Sequence, residues 1–102
     1  MKLQNRSVVI TGSGSGIGRA CALAVAKAGA SVVVADIDLQ AAEQTVLQIG
    51  AGNGKAFACQ SDVSKPDSVA ELVKATMETY GQIDTLINNA AIQINKTIAD
   101  TT

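Results

Sequence analysis

The stretch TGSGSGIG at residues 11–18 joins a short apolar run to an amphipathic segment. The run before it, Ser7–Thr11, is rich in β-branched residues and is typical of a buried strand. After it, apolar residues recur every three or four positions up to residue 28, which predicts a helix that ends at Gly29. A glycine loop between strand and helix lets a phosphate approach backbone N–H groups at the positive end of the helix dipole. The stretch therefore predicts an anion-binding turn.

Three phosphate-binding patterns compete for this loop. A P-loop requires Gly-Lys-Ser/Thr, but Ile17 and Arg19 occupy the places of its second glycine. The strict dinucleotide pattern GxGxxG would require a glycine at position 17. The spacing that fits is TGxxxGxG, with Gly12, Gly16 and Gly18. The alternative is a tight turn without a ligand, which we disfavour because four glycines in seven residues are costly for a turn alone.

The rest of the chain continues to alternate strands and helices. Continuous apolar runs predict strands at residues 31–36, 55–60 and 83–88. Amphipathic stripes predict two more helices, with Asp38 and Ser64 as their N-caps. Such alternation indicates right-handed βαβ units and a parallel α/β sheet. Four strands and three helices make half of a doubly wound Rossmann fold, so residues 1–102 are expected to form one partial domain.

Composition narrows the function further. The 102 residues carry 8 basic and 9 acidic side chains, a net charge of −1, which gives no electrostatic reason to expect a nucleic acid or membrane partner. There is no histidine, so Ser-His-Asp triads and most zinc sites are excluded, and we predict no metal site. No apolar run is long enough to span a bilayer, and the start does not resemble a signal peptide. We expect a cytoplasmic protein whose two cysteines are reduced.

Acidic residues follow the second and third predicted strands. Asp36 stands about twenty residues past the glycine loop, where a carboxylate can accept both hydroxyls of an adenosine ribose. It would repel a 2′-phosphate, and neither Ile37 nor Ser15 supplies a basic group, so we predict NAD rather than NADP. Asp62 could accept the adenine amino group while the Val63 N–H donates to the same ring. The alternatives are ordinary capping by Asp36 and a polar turn at Asp62.

Together these residues resemble a known family. The glycine motif, Asp36, the Asp62-Val63 pair and Asn88-Asn89-Ala90 occur in the order and at the spacing of the short-chain dehydrogenases/reductases. The resemblance covers essentially the whole chain and implies an enzyme that transfers hydride between NAD and an alcohol or carbonyl substrate. The cofactor-binding residues that it implies are Gly12, Ser13, Ser15, Gly16, Ile17, Gly18, Asp36, Asp62, Val63, Asn89 and Ala90.

The resemblance also implies a role for each group. The glycine loop would cradle the pyrophosphate, with Ser13 and Ser15 near the adenosine ribose and the Ile17 N–H on a phosphate. Asn89 and Ala90 would line the ribose on the nicotinamide side. The family pattern implies that Asn88 ties the fourth strand to its neighbours. That pattern has a glycine at the position of Ala91, whose methyl group would be a small intrusion on the path of the cofactor.

The catalytic residues of the resembling family are missing from this sequence. They comprise a Tyr-x-x-x-Lys pair preceded by a serine and an asparagine. The one tyrosine, Tyr80, is followed four residues later by Asp84, and its place on an apolar stripe predicts core packing. We assign no catalytic residue. Since whole members are more than twice as long, the chain is expected to be the cofactor-binding part of such an enzyme.

Two alternatives remain open at this point. One is a standalone nucleotide-binding or interaction module without turnover. The other is a fragment of an S-adenosylmethionine methyltransferase, whose fold also combines a glycine loop with acidic strand ends. In the resembling fold the strand order is 3-2-1-4, which leaves the strand at residues 83–88 as an open edge. We therefore expect marginal stability, self-association through that edge and weak affinity for NAD.

Overall fold

The computed structural model describes residues 2–89. Its elements, in chain order, are β1 Ser7–Thr11, α1 Gly16–Lys27, β2 Ser31–Asp36, α2 Leu39–Ala51, β3 Lys55–Gln60, α3 Pro66–Tyr80 and β4 Thr85–Asn88. The four strands are parallel, and their order in the sheet is β3-β2-β1-β4. The predicted α/β class, strand order and half of a doubly wound sheet are confirmed.

Successive residues of the central strands face opposite layers, which explains their continuous apolar sequence. On one face, Ile10 and Val32 pack with small residues of α1 and α2, such as Ala22 and Ala42. On the other face, Val9 and Val33 pack with Leu72 of α3 and its neighbours. The sheet is therefore covered on both sides, and its carboxyl edge is held in place by two independent apolar clusters.

Most helix ends follow the predicted chemistry. Asp38 caps α2, where its carboxylate accepts a hydrogen bond of 3.2 Å from the Ala41 N–H. Gly29, just beyond α1, has φ 105°, and Gly81, the C-cap of α3, has φ 78°. Both glycines adopt the left-handed region that stops a helix without steric cost.

The predicted Ser64 cap is wrong. The N-cap position of α3 is Lys65, which forms no capping side-chain bond to the described residues, and the helix begins at Pro66. The Ser64 hydroxyl instead donates to Asp62 Oδ1 at 2.6 Å. The hydroxyl is therefore oriented toward the carboxylate of the preceding turn, while the fixed φ of proline suits the start of the helix at residue 66.

The fourth strand is shorter than predicted and lies at an open edge. It pairs with β1 from Thr85 onward. Just before it, the Asp84 N–H donates to the Ser7 carbonyl at 2.9 Å and the Asp84 carboxylate accepts the Ser7 N–H at 2.8 Å, so a side chain takes one of the two bonds at this point. Leu86 is 60% exposed, as expected for an edge strand without a neighbour in residues 2–89. No helix in the same residues has both the length and the apolar character required to cross a membrane.

Candidate nucleotide-binding site

The carboxyl ends of β1, β2 and β4 bring three predicted site segments together. These are the glycine loop at residues 12–18, Asp36 at the end of β2, and Asn89 immediately after β4. Direct hydrogen bonds connect both Asp36 and Asn89 to the loop. In open α/β sheets this edge, where neighbouring helices lie on opposite faces, is where ligands bind.

Gly18 makes the close packing of the loop possible. A Cβ placed on Gly18 would overlap the carbonyl oxygen of Gly12 and would lie 2.8 Å from Asn89 Nδ2. Gly12 and Gly16 have φ values of 68° and 59°, in the left-handed region. In the motif TGxxxGxG, Gly12 and Gly16 are therefore required for their backbone conformation, and Gly18 is required because a side chain would not fit.

The start of α1 offers backbone donors to an anion. The Arg19 N–H donates to the Ser15 carbonyl at 3.2 Å, so the N–H groups of residues 16–18 precede the helical ladder. The first turn contains no acidic residue that would oppose an anion. Ser15 is exposed, and Ile17 is 78% exposed. The predicted donors thus lie together at an open surface.

Asp36 is held against the loop by two backbone groups. Its Oδ2 accepts from the Gly14 N–H at 2.9 Å, and its Oδ1 accepts from the Asp38 N–H at 3.0 Å. A Cβ on Gly14 would lie 2.8 Å from Asp36 Oδ2 and 2.8 Å from the Cβ of Ala41. The carboxylate is therefore fixed in orientation, and each oxygen keeps a further lone pair for a hydroxyl donor.

Asp62 and Val63 follow β3 at the same edge of the sheet. The Ser61 N–H donates to the Asp36 carbonyl at 3.0 Å, which holds this segment beside the end of β2. Hydrogen bonds from the Ser64 hydroxyl and N–H lower the pKa of Asp62. Val63 lines an apolar cavity of about 150 Å³ between the sheet and α3. The adenine-binding role of both residues remains a prediction.

Ser13 points into the protein. It is fully buried, and its hydroxyl donates to the Ile10 carbonyl at 2.6 Å. Its N–H donates to the Ala35 carbonyl at 3.2 Å, which continues the pairing of β1 and β2 into the loop. The side chain is thus engaged in holding the loop, and its predicted place near the ribose remains a prediction.

The two asparagines at the end of β4 connect this edge strand to β1 and to the glycine loop. The Thr11 hydroxyl donates to Asn88 Oδ1 at 2.8 Å, which agrees with the predicted tie between the fourth strand and its neighbour. Asn89 is only 6% exposed, and its Nδ2 donates to the Gly12 carbonyl at 3.1 Å. Ala90 and Ala91 lie outside the described residues.

Two residues that the sequence did not single out also contact the loop. Arg19 donates through Nε to Thr45 Oγ1 at 2.9 Å and through Nη2 to the Gly14 carbonyl. The Thr45 hydroxyl donates to the Ser13 carbonyl at 3.0 Å. A hydroxyl on the apolar stripe of α2, three residues after Ala42, is the signal that could have revealed this contact.

Tyr80 is half-buried and packs against the core, as predicted. Its hydroxyl donates to the Val32 carbonyl at 3.1 Å, and its ring centroid lies 5.4 Å from that of Phe57. Burial raises the pKa of the phenol. Within residues 2–89, no group of three or more His, Cys, Asp or Glu side chains is placed to hold a metal ion.

A parallel sheet with this loop and an acidic residue at the end of β2 is the arrangement typical of dinucleotide-binding α/β proteins. The family model described as short chain dehydrogenase matches residues 6–102. The chain therefore belongs to the short-chain dehydrogenase/reductase family. This membership favours a dehydrogenase over the methyltransferase alternative.

Individual relatives agree with this assignment. Cyclohexanol dehydrogenase of Acinetobacter sp. (strain SE19) is 41% identical over 98 residues, which cover 94% of this chain and 39% of the relative. The 7α-hydroxysteroid dehydrogenase of Escherichia coli (strain K12) is 40% identical over 90 residues, which cover 88% of this chain and 35% of the relative. The chain thus spans well under half the length of these two relatives.

Solved structures share the fold. The crystal structure of a hydroxysteroid dehydrogenase from Escherichia coli has a TM-score of 0.84 and 39% identity over 85% of this chain and 37% of that chain. A 7α-hydroxysteroid dehydrogenase complexed with NADH and 7-oxo glycochenodeoxycholic acid has a TM-score of 0.82 and 39% identity over 83% of this chain and 33% of that chain. Both likenesses extend over most of the described residues.

Proposed function

We propose that this chain is the NAD(H)-binding part of a short-chain dehydrogenase/reductase whose whole form transfers hydride between NAD and an alcohol or carbonyl substrate. The observation that carries the proposal is the fixed carboxylate of Asp36, 2.9 Å from the Gly14 N–H of the glycine loop. A bound nicotinamide supplies the site that accepts or donates hydride. The residues of this chain bind and orient the nucleotide that carries it.

The loop fits the pyrophosphate. The N–H groups of Gly16, Ile17 and Gly18 lie at the start of α1, ahead of its hydrogen-bond ladder, and the helix dipole favours a negative charge there. The close approach of Gly18 to Gly12 leaves no space for a side chain between helix and loop. In this proposal the Ser15 hydroxyl lies near the adenosine ribose.

The preference for NAD over NADP rests on charge. Asp36 would accept the two ribose hydroxyls and repel a 2′-phosphate. Arg19 is the nearest cation in the sequence of the loop, but its guanidinium is turned to the Gly14 carbonyl and to Thr45 on α2. It is therefore not presented to a phosphate beside Asp36.

The remaining contacts extend along the sheet edge. Asp62 and Val63 would hold adenine, since their segment lies beside the end of β2. Asn89 and Ala90 would line the ribose on the nicotinamide side. Residues 1–102 would then form a partial cofactor-binding domain, with catalytic groups supplied by the remainder of a longer protein. We place that protein in the cytoplasm, in line with free Cys21 and Cys59.

The open edge supports a further element of the proposal, self-association of the isolated chain. Among residues 2–89, β4 pairs with β1 on one side only, and Leu86 at its centre is largely exposed. Unpaired backbone groups on such an edge favour pairing with a second strand. A second copy of the chain would offer the same strand.

Titration of the chain with NADH, followed by cofactor fluorescence, tests the proposal. We expect saturable binding that ADP displaces and S-adenosylmethionine does not. If neither NADH nor NADPH gives saturable binding, the proposed function is overturned. Reduction of a carbonyl substrate by the isolated chain would contradict the assignment of catalysis to a longer protein.

A further inference from the structure

A hydrogen-bond network behind the glycine loop connects it to α2. Arg19 donates through Nη2 to the Gly14 carbonyl and through Nε to Thr45 Oγ1 at 2.9 Å. The Thr45 hydroxyl donates to the Ser13 carbonyl at 3.0 Å. Two consecutive carbonyl groups of the loop are therefore held by two side chains, Arg19 from α1 and Thr45 from α2.

The surroundings of this network are unfavourable for polar groups that lack partners. Thr45 is fully buried on the apolar face of α2. Arg19 is half-buried, makes a third contact to the Ala41 carbonyl at 3.4 Å, and forms no ion pair within 4.0 Å among residues 2–89. A buried hydroxyl and an unpaired guanidinium are costly unless hydrogen bonds compensate for their lost hydration. Here those hydrogen bonds connect the loop backbone, Arg19 and α2.

The network determines which way the loop N–H groups point. In a planar trans peptide the C=O and the following N–H point in opposite directions. With the Ser13 carbonyl turned to Thr45, the Gly14 N–H faces the other way, and it donates to Asp36 Oδ2 at 2.9 Å. With the Gly14 carbonyl turned to Arg19, the Ser15 N–H faces away from α2.

We propose that Arg19 and Thr45 are positioning residues for nucleotide binding: Arg19 orients the Ser15 N–H toward the phosphates, and Thr45 orients the Gly14 N–H that fixes Asp36. This inference rests on the proposed function. Loss of each residue is expected to affect a different property of nucleotide binding. Loss of the Arg19 contact should weaken recognition of phosphate, and loss of the Thr45 contact should weaken discrimination at the ribose.

The test for Arg19 compares ADP with adenosine, which lacks the phosphates. Backbone amide shifts of the whole chain give both affinities by NMR titration. We expect Arg19→Met and Arg19→Lys each to lower the affinity for ADP about tenfold and to change that for adenosine by less than about twofold. Lysine keeps the charge but lacks the planar fork that reaches two acceptors. Lys27→Met, which removes a charge at the far end of α1, should leave both affinities unchanged.

The test for Thr45 compares NADH with NADPH. Thr45→Val keeps the shape and removes the hydroxyl, and we expect it to lower the preference for NADH about tenfold. Thr45→Ser should retain the preference. If Thr45→Val does not fold, as judged by circular dichroism, the Gly14 amide shift of Thr45→Ser decides, and it should match that of the unaltered chain.

The outcomes separate the two proposals. Normal ADP binding by Arg19→Lys would show that only the positive charge of Arg19 matters. An equal loss of affinity for ADP and for adenosine would show that Arg19 has only a structural role. Either result overturns the positioning role of Arg19, and an unchanged preference in folded Thr45→Val overturns that of Thr45. If the unaltered chain binds neither ADP nor NADH, the proposed function itself fails.

Discussion

The side-chain amide of Asn89 donates a hydrogen bond of 3.1 Å to the carbonyl of Gly12, although the two residues are 77 positions apart. Asn89 follows the edge strand β4, and Gly12 begins the glycine loop after β1. The bond crosses the space that Gly18 leaves open by having no side chain. The loop conformation therefore depends on a residue near the end of the described chain.

The Asn89 bond leads to a first prediction. Asn89→Asp replaces the donor with a carboxylate that faces the Gly12 carbonyl, which leaves an acceptor without a partner in a buried position. We expect the free energy of unfolding to fall by about 1–3 kcal/mol, and NADH binding to weaken. Urea unfolding and NADH titration measure the two effects.

Gln44→Glu is the matched control for this change. It makes the same substitution of amide by carboxylate at an exposed position of α2. Surface changes of this kind alter stability by less than about 0.5 kcal/mol. Equal effects of the two variants would contradict a specific role for the Asn89 bond.

The contrast between two glycines gives a second prediction. At Gly18 a Cβ would meet the Gly12 carbonyl, whereas a Cβ at Gly50 in α2 would have no neighbour within 4 Å among residues 2–89 apart from the adjoining residues and its own helix backbone. Gly18→Ala should therefore abolish NADH binding and destabilise the chain, and Gly50→Ala should stabilise it by about 0.5–1 kcal/mol. Thermal unfolding with and without NADH tests both. Unimpaired binding by Gly18→Ala would refute the packing argument.

Much of the fold was predictable because its signals are local. The bounds of β2, Ser31–Asp36, agree with the predicted strand, since a β-branched run lies between a terminating glycine and an acidic turn. Asp38 and Gly81 act within one helical turn of their own positions. The glycine motif specifies its own backbone geometry, so the loop could be recognised from spacing alone.

The parts that sequence reasoning missed depend on competition or distance. The Ser64 hydroxyl could accept from a backbone N–H at the start of α3, but it donates to the carboxylate of Asp62, and the helix begins two residues later, at Pro66. Arg19 and Thr45 meet across 26 positions, so no local pattern links them. The inward direction of the Ser13 hydroxyl follows from the turn of the loop and not from its residue type.

Acid unfolding provides a third prediction. Hydrogen bonds from the Ser7 N–H, which is the largest cause, and from Gln82 lower the pKa of Asp84, with a smaller contribution from Arg6. Its folded-state pKa lies below the value of about 3.9 for an unfolded aspartate. The stabilisation is therefore complete above that value and is lost as pH falls through the folded-state pKa.

Asp84→Asn removes this titration while it keeps an oxygen for the Ser7 N–H. We expect the loss of stability below about pH 4 to become shallower in this variant, as measured by urea unfolding at a series of pH values. Glu78→Gln, which removes an exposed carboxylate at 4.0 Å from Lys74, is the control. If the stability of Asp84→Asn falls with pH as steeply as that of the unaltered chain, the Ser7 bond does not govern acid unfolding.

The open edge gives a fourth prediction. Leu86→Lys places a charge at the centre of β4, and we expect it to reduce self-association of the chain because a charged edge resists pairing. Leu47→Lys makes the same change on α2, where Leu47 is 73% exposed, and should leave association unchanged. Sedimentation equilibrium compares the three proteins. Equal association of all three would locate the interface elsewhere.

The proposed preference for NAD depends on Asp36, and isothermal titration of the chain with NADH and NADPH measures that preference. We expect NADH to bind at least about tenfold more tightly, because the fixed carboxylate accepts ribose hydroxyls and repels a 2′-phosphate. Asp36→Ser should narrow the difference between the two affinities, because NADH would bind more weakly and NADPH would no longer be repelled. Equal or tighter binding of NADPH by the unaltered chain would contradict the role of Asp36 in selecting NAD.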